Sequence, residues 1–245
     1  MSRTPILVSH SGGKDSILLL DRLLRDDRWE IVSLISLITV EDQRVSMHGV
    51  PRKLLEAQAA ALGLPLTIIE VPRFPTNAIY ESALEAGLKP FRAADVTTIA
   101  FGDLFLADIR RYREDVCSRL GMVPLFPLWN LATPALAEEF IDRGFRAVVC
   151  CIDARCLMAD FAGRHYDAGF LRALPNKADW CGENGEFHTF VWNGPNFRDP
   201  VSLSLGATTR QGDFWYVELS ESETDSDFAS LVIDVPAKSV ERVDV

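Results

Sequence analysis

The sequence predicts an α/β protein: a parallel sheet with helices on both faces, followed by a smaller C-terminal α+β domain. Two observations carry this expectation. In the first half, short apolar runs alternate with stretches of helical periodicity, the pattern of βαβ units. Beyond residue 130 the runs become short and alternating, separated by Gly-, Asn- and Pro-rich segments. The change of pattern places a boundary at residues 122–130, giving units 1–126 and 127–245.

The elements follow in order. Pro5 to Val8 reads as a buried strand that ends in SHSGGKDS, and Ser16 to Arg25 carries leucines at helical spacing. Ile31 to Ile38 is a second strand. Pro51 suits a first helical position, and the helix it opens closes at Gly63. Leu66 to Val71 is the third strand, and a short helix capped by Asn77 is expected to stop at Gly87. Val96 to Asp103 is a fourth strand running into a Gly-Asp turn, followed by a helix from Asp108 to Leu120. In the second unit, Thr133 and Pro134 start a helix ending near Gly144, Ala147 to Ala154 is a buried strand, and residues 164–174 are helical. The stretch from Asp179 to Pro200 reads as too polar and interrupted for core. Strands are expected near FHTFVW, DFWYVEL and SLVIDV, with the acidic run Glu221 to Asp227 as a solvated loop.

Composition narrows the function. The 245 residues are 48% hydrophobic and 24% charged, which is globular and not disordered. The formal charge of -10 argues against a surface that reads nucleic-acid phosphates. No apolar run reaches the roughly 18 residues of a membrane span, and no signal-peptide core is present, so a cytoplasmic protein is expected. Five cysteines, an odd number without framework spacing, agree with a reducing compartment.

The strongest local signal is Ser11 to Ser16, SGGKDS, between an apolar strand and an apolar-periodic helix. Gly12 and Gly13 permit a tight turn and close ligand approach, the helix N-terminus supplies amides, and Lys14 adds one of only five lysines. The spacing fits neither a Walker A loop nor a dinucleotide fingerprint. The plain alternative is a Gly-Gly surface turn, which the strand-loop-helix context disfavours. The four histidines, His10, His48, His165 and His188, lack metal-binding spacing. Cys150 and Cys151 read as packing residues of a strand, and no CxxC is present; Cys181 is the one cysteine beside a candidate site.

SGGKDS after an N-terminal strand resembles the pyrophosphate loop of the N-type ATP pyrophosphatases, the PP-loop (HUP-like) superfamily. With Met47 to Leu66, Phe101 to Trp129, Gly144 to Ala154 and Cys181 to Phe197, the chain is similar to the diphthine–ammonia ligase family over roughly residues 5 to 200. That resemblance implies an ATP-dependent ligase that adenylates an acceptor carboxylate, releases pyrophosphate, and forms an amide with ammonia. It implies ATP and Mg²⁺. The nucleotide site would comprise Ser9, Ser11, Gly12, Gly13, Lys14, Asp15, Ser16, His48, Gly102 and Asp103, with Asp15 and Asp103 toward the metal. Lys14, Asp15, Glu183 and Glu186 are the expected catalytic residues. Gly182, Asn184, Gly185, His188 and Thr189 would close over the acceptor. Asn184 stands where many members have glycine, and His188 where many have glutamate, departures that bear on the acceptor. The acceptor would be elongation factor 2 diphthine only in a host that makes diphthamide. A homodimer is the default expectation. A tRNA-modifying PP-loop enzyme and a non-catalytic ATP or AMP sensor are the alternatives.

Overall fold

In the computed structural model, which describes residues 3–222, β1 (Thr4–Ser9) is the central strand of the first sheet. β2 (Trp29–Thr39) lies parallel on one side and β5 (Thr98–Ala100) on the other. β4 (Leu66–Val71) pairs with the outer edge of β2, and β6 (Val123–Leu125) with β5. The parallel order is therefore β4-β2-β1-β5-β6, and the loops after β1 and β5 flank the point where the order reverses. Ligands of open α/β sheets bind at such points.

Alternation along the strands explains the two helical layers. Ile6 and Val8 pack with Ile17 and Leu20 of α1 (Lys14–Leu24) and with Leu136 and Phe140 of α5 (Thr133–Asp142). Leu7, Ile35, Ile69 and Ile99 point the other way. They meet Leu88 of α3 (Asn77–Ala93) and Val116 of α4 (Ala107–Arg119). The remaining helix, α2 (Arg52–Leu62), ends at a left-handed Gly63 as its sequence indicates.

The structure corrects the sequence reading in several places. The first sheet is mixed: β3 (Arg44–Val45) folds back antiparallel onto the end of β2. Because β4 holds the other edge of β2 there, β3 lies beyond the end of β1, over the glycine loop. β6 is a fifth parallel strand within the stretch read as a boundary. Its Pro124 lacks an amide hydrogen, which an edge strand tolerates. Gly87 does not stop α3, and the capping side chain is Thr76, which accepts from the Ile79 amide. A β-carbon at Gly87 would lie 2.5 Å from Ile69 Cδ1, so this glycine lets the helix approach β4.

The second sheet is antiparallel, in the order β8 (Phe187–Asn193), β7 (Arg146–Asp153), β10 (Phe214–Ser220), β9 (Ser204–Gln211). β9 is polar and largely exposed, so its sequence carries no strand alternation. The helix expected at 164–174 shrinks to α6 (Ala168–Ala173), capped by the Asp167 carboxylate. The stretch after Asp179, read as too polar for core, is largely interior: Cys181, Glu186, Phe187, Thr189 and Phe190 are buried. The expected SLVIDV strand and most of the acidic run lie outside the described residues.

A fully buried carboxylate ties the layers together. Asp21 of α1 accepts from Arg143 after α5 at 2.6 Å, from Asn196 at 3.1 Å and from Arg25. Removing a partner would leave part of this buried carboxylate unsatisfied, at a cost of about 1–3 kcal/mol.

Gly87→Ala sets two effects against each other. Alanine favours a helix by about 1 kcal/mol, while overpacking against buried Ile69 costs about 1–3 kcal/mol. The clash involves a β-branched side chain held in the core, so the variant is expected to be net destabilised, read as a lower urea midpoint with unchanged slope.

Candidate functional site

The SGGKDS loop is shaped by what surrounds it. Gly12 adopts a left-handed φ of 79°, and a β-carbon there would sit 3.0 Å from Leu55 Cδ1 and 3.2 Å from Gln58 Oε1. At Gly13 it would meet the Thr189 carbonyl oxygen at 3.0 Å. Gly13 also caps α1 in an extended conformation, so the helix begins at Lys14 with its first amides directed at the loop. Ser16 Oγ donates to the Gly13 carbonyl at 2.9 Å. The turn after β5 packs directly on this backbone, since a Gly102 β-carbon would lie 3.2 Å from the carbonyl carbon of Asp15. The fold thus brings Ser9, residues 11–16, Gly102 and Asp103 to one place at the carboxyl end of the sheet. A helix N-terminus is a ready anion site.

The edge of the second sheet docks on the same loop. The Val191 amide donates to the Gly12 carbonyl at 2.9 Å, and the Lys14 amide donates to Thr189 Oγ1 at 3.0 Å. Gln58 completes the joint: its amide nitrogen donates to both the Gly12 and Val191 carbonyls, while its oxygen pairs with His10 Nε2 at 2.7 Å. Gln58, which holds this joint, was missed in the sequence. Its signal was available, as a lone polar side chain on the Leu54, Leu55, Leu62 face of α2.

Lys14 is turned inward. Its ammonium donates to Asp15 Oδ2 at 2.8 Å and to the Cys181 carbonyl, and it lies over the Phe187 and Tyr166 rings at 5.4 and 5.8 Å. Burial is the largest single influence and disfavours the charge, but Asp15 together with Cys181 and Glu183 outweighs it and holds the lysine above its ordinary range.

The Gly182–Thr189 stretch separates its two glutamates. Glu186 is buried inside the turn, where it accepts from the Asp179 amide at 2.9 Å and from both nitrogens of Asn184. Glu183 reaches across to the turn after β5 and accepts from the Leu104 amide at 2.7 Å. Burial pushes its carboxyl up to about 7, reinforced by Asp15 and opposed by the Leu104 amide. Asp179, also missed in the sequence, organises the turn by accepting from the Cys181 and Glu183 amides and from the Thr133 hydroxyl. Thr133, expected to cap α5, contributes its hydroxyl here, and Ala132 occupies the cap. Gly182 and Gly185 both take left-handed conformations in this turn.

His48 and His188 meet over the loop with ring centroids 4.3 Å apart. Burial depresses both, His48 to about 4. Asp103 is paired with Arg113 at 2.6 Å. These three thiols are protonated: burial pushes Cys151 and Cys181 up to about 12 and Cys150 well above its ordinary value. Trp129 stacks on Arg110 at 4.7 Å, and Trp180 offers its carbonyl to Tyr166. Among the described residues, no group of three His, Cys, Asp or Glu side chains is placed to hold a metal, and no helix is long and apolar enough to cross a membrane.

Residues 4–124 match the family model of the diphthamide synthase N-terminal domain, and residues 132–222 that of the diphthamide synthase C-terminal domain. The chain is 29% identical over 217 residues to the diphthine–ammonia ligases of Bos taurus and Homo sapiens, covering 78% of this chain and 79% of theirs. It is 32% identical over 117 residues to the Danio rerio diphthine–ammonia ligase, spanning 44% of this chain and 45% of that protein.

The raised Glu183 carboxyl has a stability signature. The folded state holds this proton more tightly than the unfolded chain, whose glutamate titrates near 4.5. Its contribution therefore falls as pH rises from about 4.5 to about 7. Glu183→Gln keeps the acceptor for Leu104 but removes the titration. The variant is expected to match wild type in urea midpoint at pH 4.5 and to exceed it at pH 8.

Proposed function

The chain belongs to the diphthine–ammonia ligase family, and on that premise we propose that it is an ATP-dependent ligase. It joins ammonia to an acceptor carboxylate, with release of AMP and pyrophosphate. In this reading residues 1–126 hold the nucleotide, and the turn at 182–189 in the second unit closes over the acceptor. The observation that carries it is the position of Lys14: one buried cation belongs to the glycine loop by its backbone and to the second unit's turn by its side chain. A ligase that activates one group with another needs its phosphate site and its acceptor site in contact.

The acceptor carboxylate attacks the α-phosphorus, the bond to the β-phosphate oxygen breaks, and pyrophosphate departs toward the N-terminus of α1. Charge builds on the leaving group, and fixed dipoles with a neighbouring cation stabilise it where water is excluded. Lys14 is that cation. Ammonia then attacks the acyl carbon and AMP leaves. An ammonium ion must first lose a proton, and Glu183, poised near 7, is the base we assign to it. Glu186, occupied by three internal hydrogen bonds, positions the turn that carries Glu183.

Asp15 and Asp103 offer the hard oxygen donors that suit Mg²⁺, which is held by one or two carboxylates together with substrate phosphates. Each is already drawn toward a cation, Lys14 and Arg113 respectively, so they fit a shared rather than a caged ion. When bound, the metal supplies neutralisation of phosphate charge. A sulfur-transfer chemistry would need a thiolate, and the buried protonated thiols oppose it. We place the reaction in the cytoplasm. Elongation factor 2 diphthine is the acceptor where the host makes diphthamide.

Incubation with α-labelled ATP, Mg²⁺, ammonium and host extract is expected to yield acceptor-dependent AMP. Lys14→Ala should lower the rate by about 10²–10³-fold, and Glu183→Gln by about 10²-fold, with loss of the rise in rate as pH passes 7. Label appearing in ADP would overturn the mechanism, and tight ATP binding without AMP in an extract that contains the acceptor would favour a sensor.

A further inference from the structure

The two stacked imidazoles over the glycine loop have no role in the mechanism above. His188 arrives from β8, whose sequence neighbours close over the acceptor, and His48 from the turn after β3. They come together at a ring separation of 4.3 Å and an interplanar angle of 36°. His48 Nε2 would lie 3.4 Å from a β-carbon at Gly13, so the pair stands directly beside the loop backbone. The Nδ1 of His48 faces the Ser46 carbonyl at 3.3 Å, which places its proton there and leaves Nε2 as the loop-facing lone pair.

The nearest cation to this pair is Lys14, whose own counter-ion is the Asp15 carboxylate at 2.8 Å. Lys14 lies on the α1 side, and its charge disfavours protonation of both rings. His10, before the loop, is buried with Nδ1 lacking a hydrogen-bond partner and is electrostatically coupled to His48. On the second sheet, Cys151 is the register partner of His188, and Tyr216 of β10 packs against Gly49. Among the described residues, no carboxylate forms an ion pair with either imidazole. Two adjacent, half-buried rings with no counter-ion stay uncharged. An anion arriving between them and Lys14 reverses that balance, because an opposite charge within about 4–6 Å favours the protonated ring.

We propose that His48 and His188 form a second wall of the polyphosphate site, a paired imidazole that takes up a proton from solvent when pyrophosphate binds. The inference rests on the ATP reading above and extends it. It moves His188 from the acceptor to the phosphate side, and it makes phosphate binding proton-coupled. Product release is coupled too: the proton leaves with the pyrophosphate, and the rings return to neutrality beside Lys14.

The test is titration calorimetry of the full chain with inorganic pyrophosphate at pH 7, in buffers of different ionisation enthalpy. The number of protons exchanged follows from the buffer dependence. Pyrophosphate changes its own protonation on binding, so the informative quantity is the difference between wild type and variants. His48→Asn, on a turn, and His188→Gln, on a strand, are measured separately, with unfolding midpoints, so that a folding defect in one leaves the other readable. Wild type is expected to take up roughly one proton more per pyrophosphate than either variant. Its affinity advantage should grow by up to about tenfold per unit fall in pH. Equal proton uptake by wild type and both folded variants would overturn the paired-imidazole wall while leaving the ligase reading intact. Absence of any pyrophosphate or ATP binding by wild type would overturn both.

Discussion

The backbone of Gly12 and Gly13 is shared by two sheets, and the rest of the site depends on that sharing. One side of the loop ends β1 and starts α1; the other receives the edge of β8 through the Val191 amide and the Thr189 hydroxyl. Gln58, buried on α2, satisfies the carbonyls that this joint would otherwise strand. Each such bond contributes about 1 kcal/mol net, but leaving its buried partner unpaired costs about 1–3 kcal/mol. The joint is therefore held less by the gain of each bond than by the penalty for breaking it. Side chains at either glycine would collide with Leu55, Gln58 or Thr189, which makes the close approach conditional on glycine.

Once the two sheets meet there, the electrostatics follow. Lys14 is buried and pairs with Asp15 and the Cys181 carbonyl, so an ammonium–carboxylate pair sits between loop and turn. Desolvation, with a smaller contribution from the ammonium, keeps the neighbouring imidazoles neutral, while burial, reinforced by Asp15, lifts the Glu183 carboxyl toward 7. Two glutamates three residues apart thus acquire different roles from their surroundings alone. Glu186 faces into the turn and is saturated, whereas Glu183 faces the β5 turn and can exchange a proton.

Local patterns made much of the fold legible. The βαβ alternation, the glycine loop between strand and helix, and the Gly63 stop all rest on periodicity or backbone chemistry confined to a few residues. The readings that failed depended on distant partners. Gly87 looks like a helix stop until Ile69 is placed against it. Thr133 looks like a cap until Asp179 is placed within reach of its hydroxyl. The stretch after Asp179 looks like a surface loop because its polar groups are satisfied by one another and by residues up to 175 positions away. β3 and β6 are too short to show a period. The residues proposed for the site were named from the loop, the turn, and the segments after β3 and β5, but the division of labour between Glu183 and Glu186, and the parts played by Gln58 and Asp179, needed the packing.

If the shared loop is the constraint that builds the site, the two sheets cannot separate there without the whole molecule unfolding. Native-state hydrogen exchange of the Lys14 and Val191 amides, followed against denaturant beside that of Val8 in β1, measures this directly. All three amides are predicted to exchange through the same global opening, with one free energy and one denaturant slope. A separate, shallower opening for Val191 and Lys14, with Val8 still protected, would contradict it by showing that the second sheet lifts off an independently stable loop.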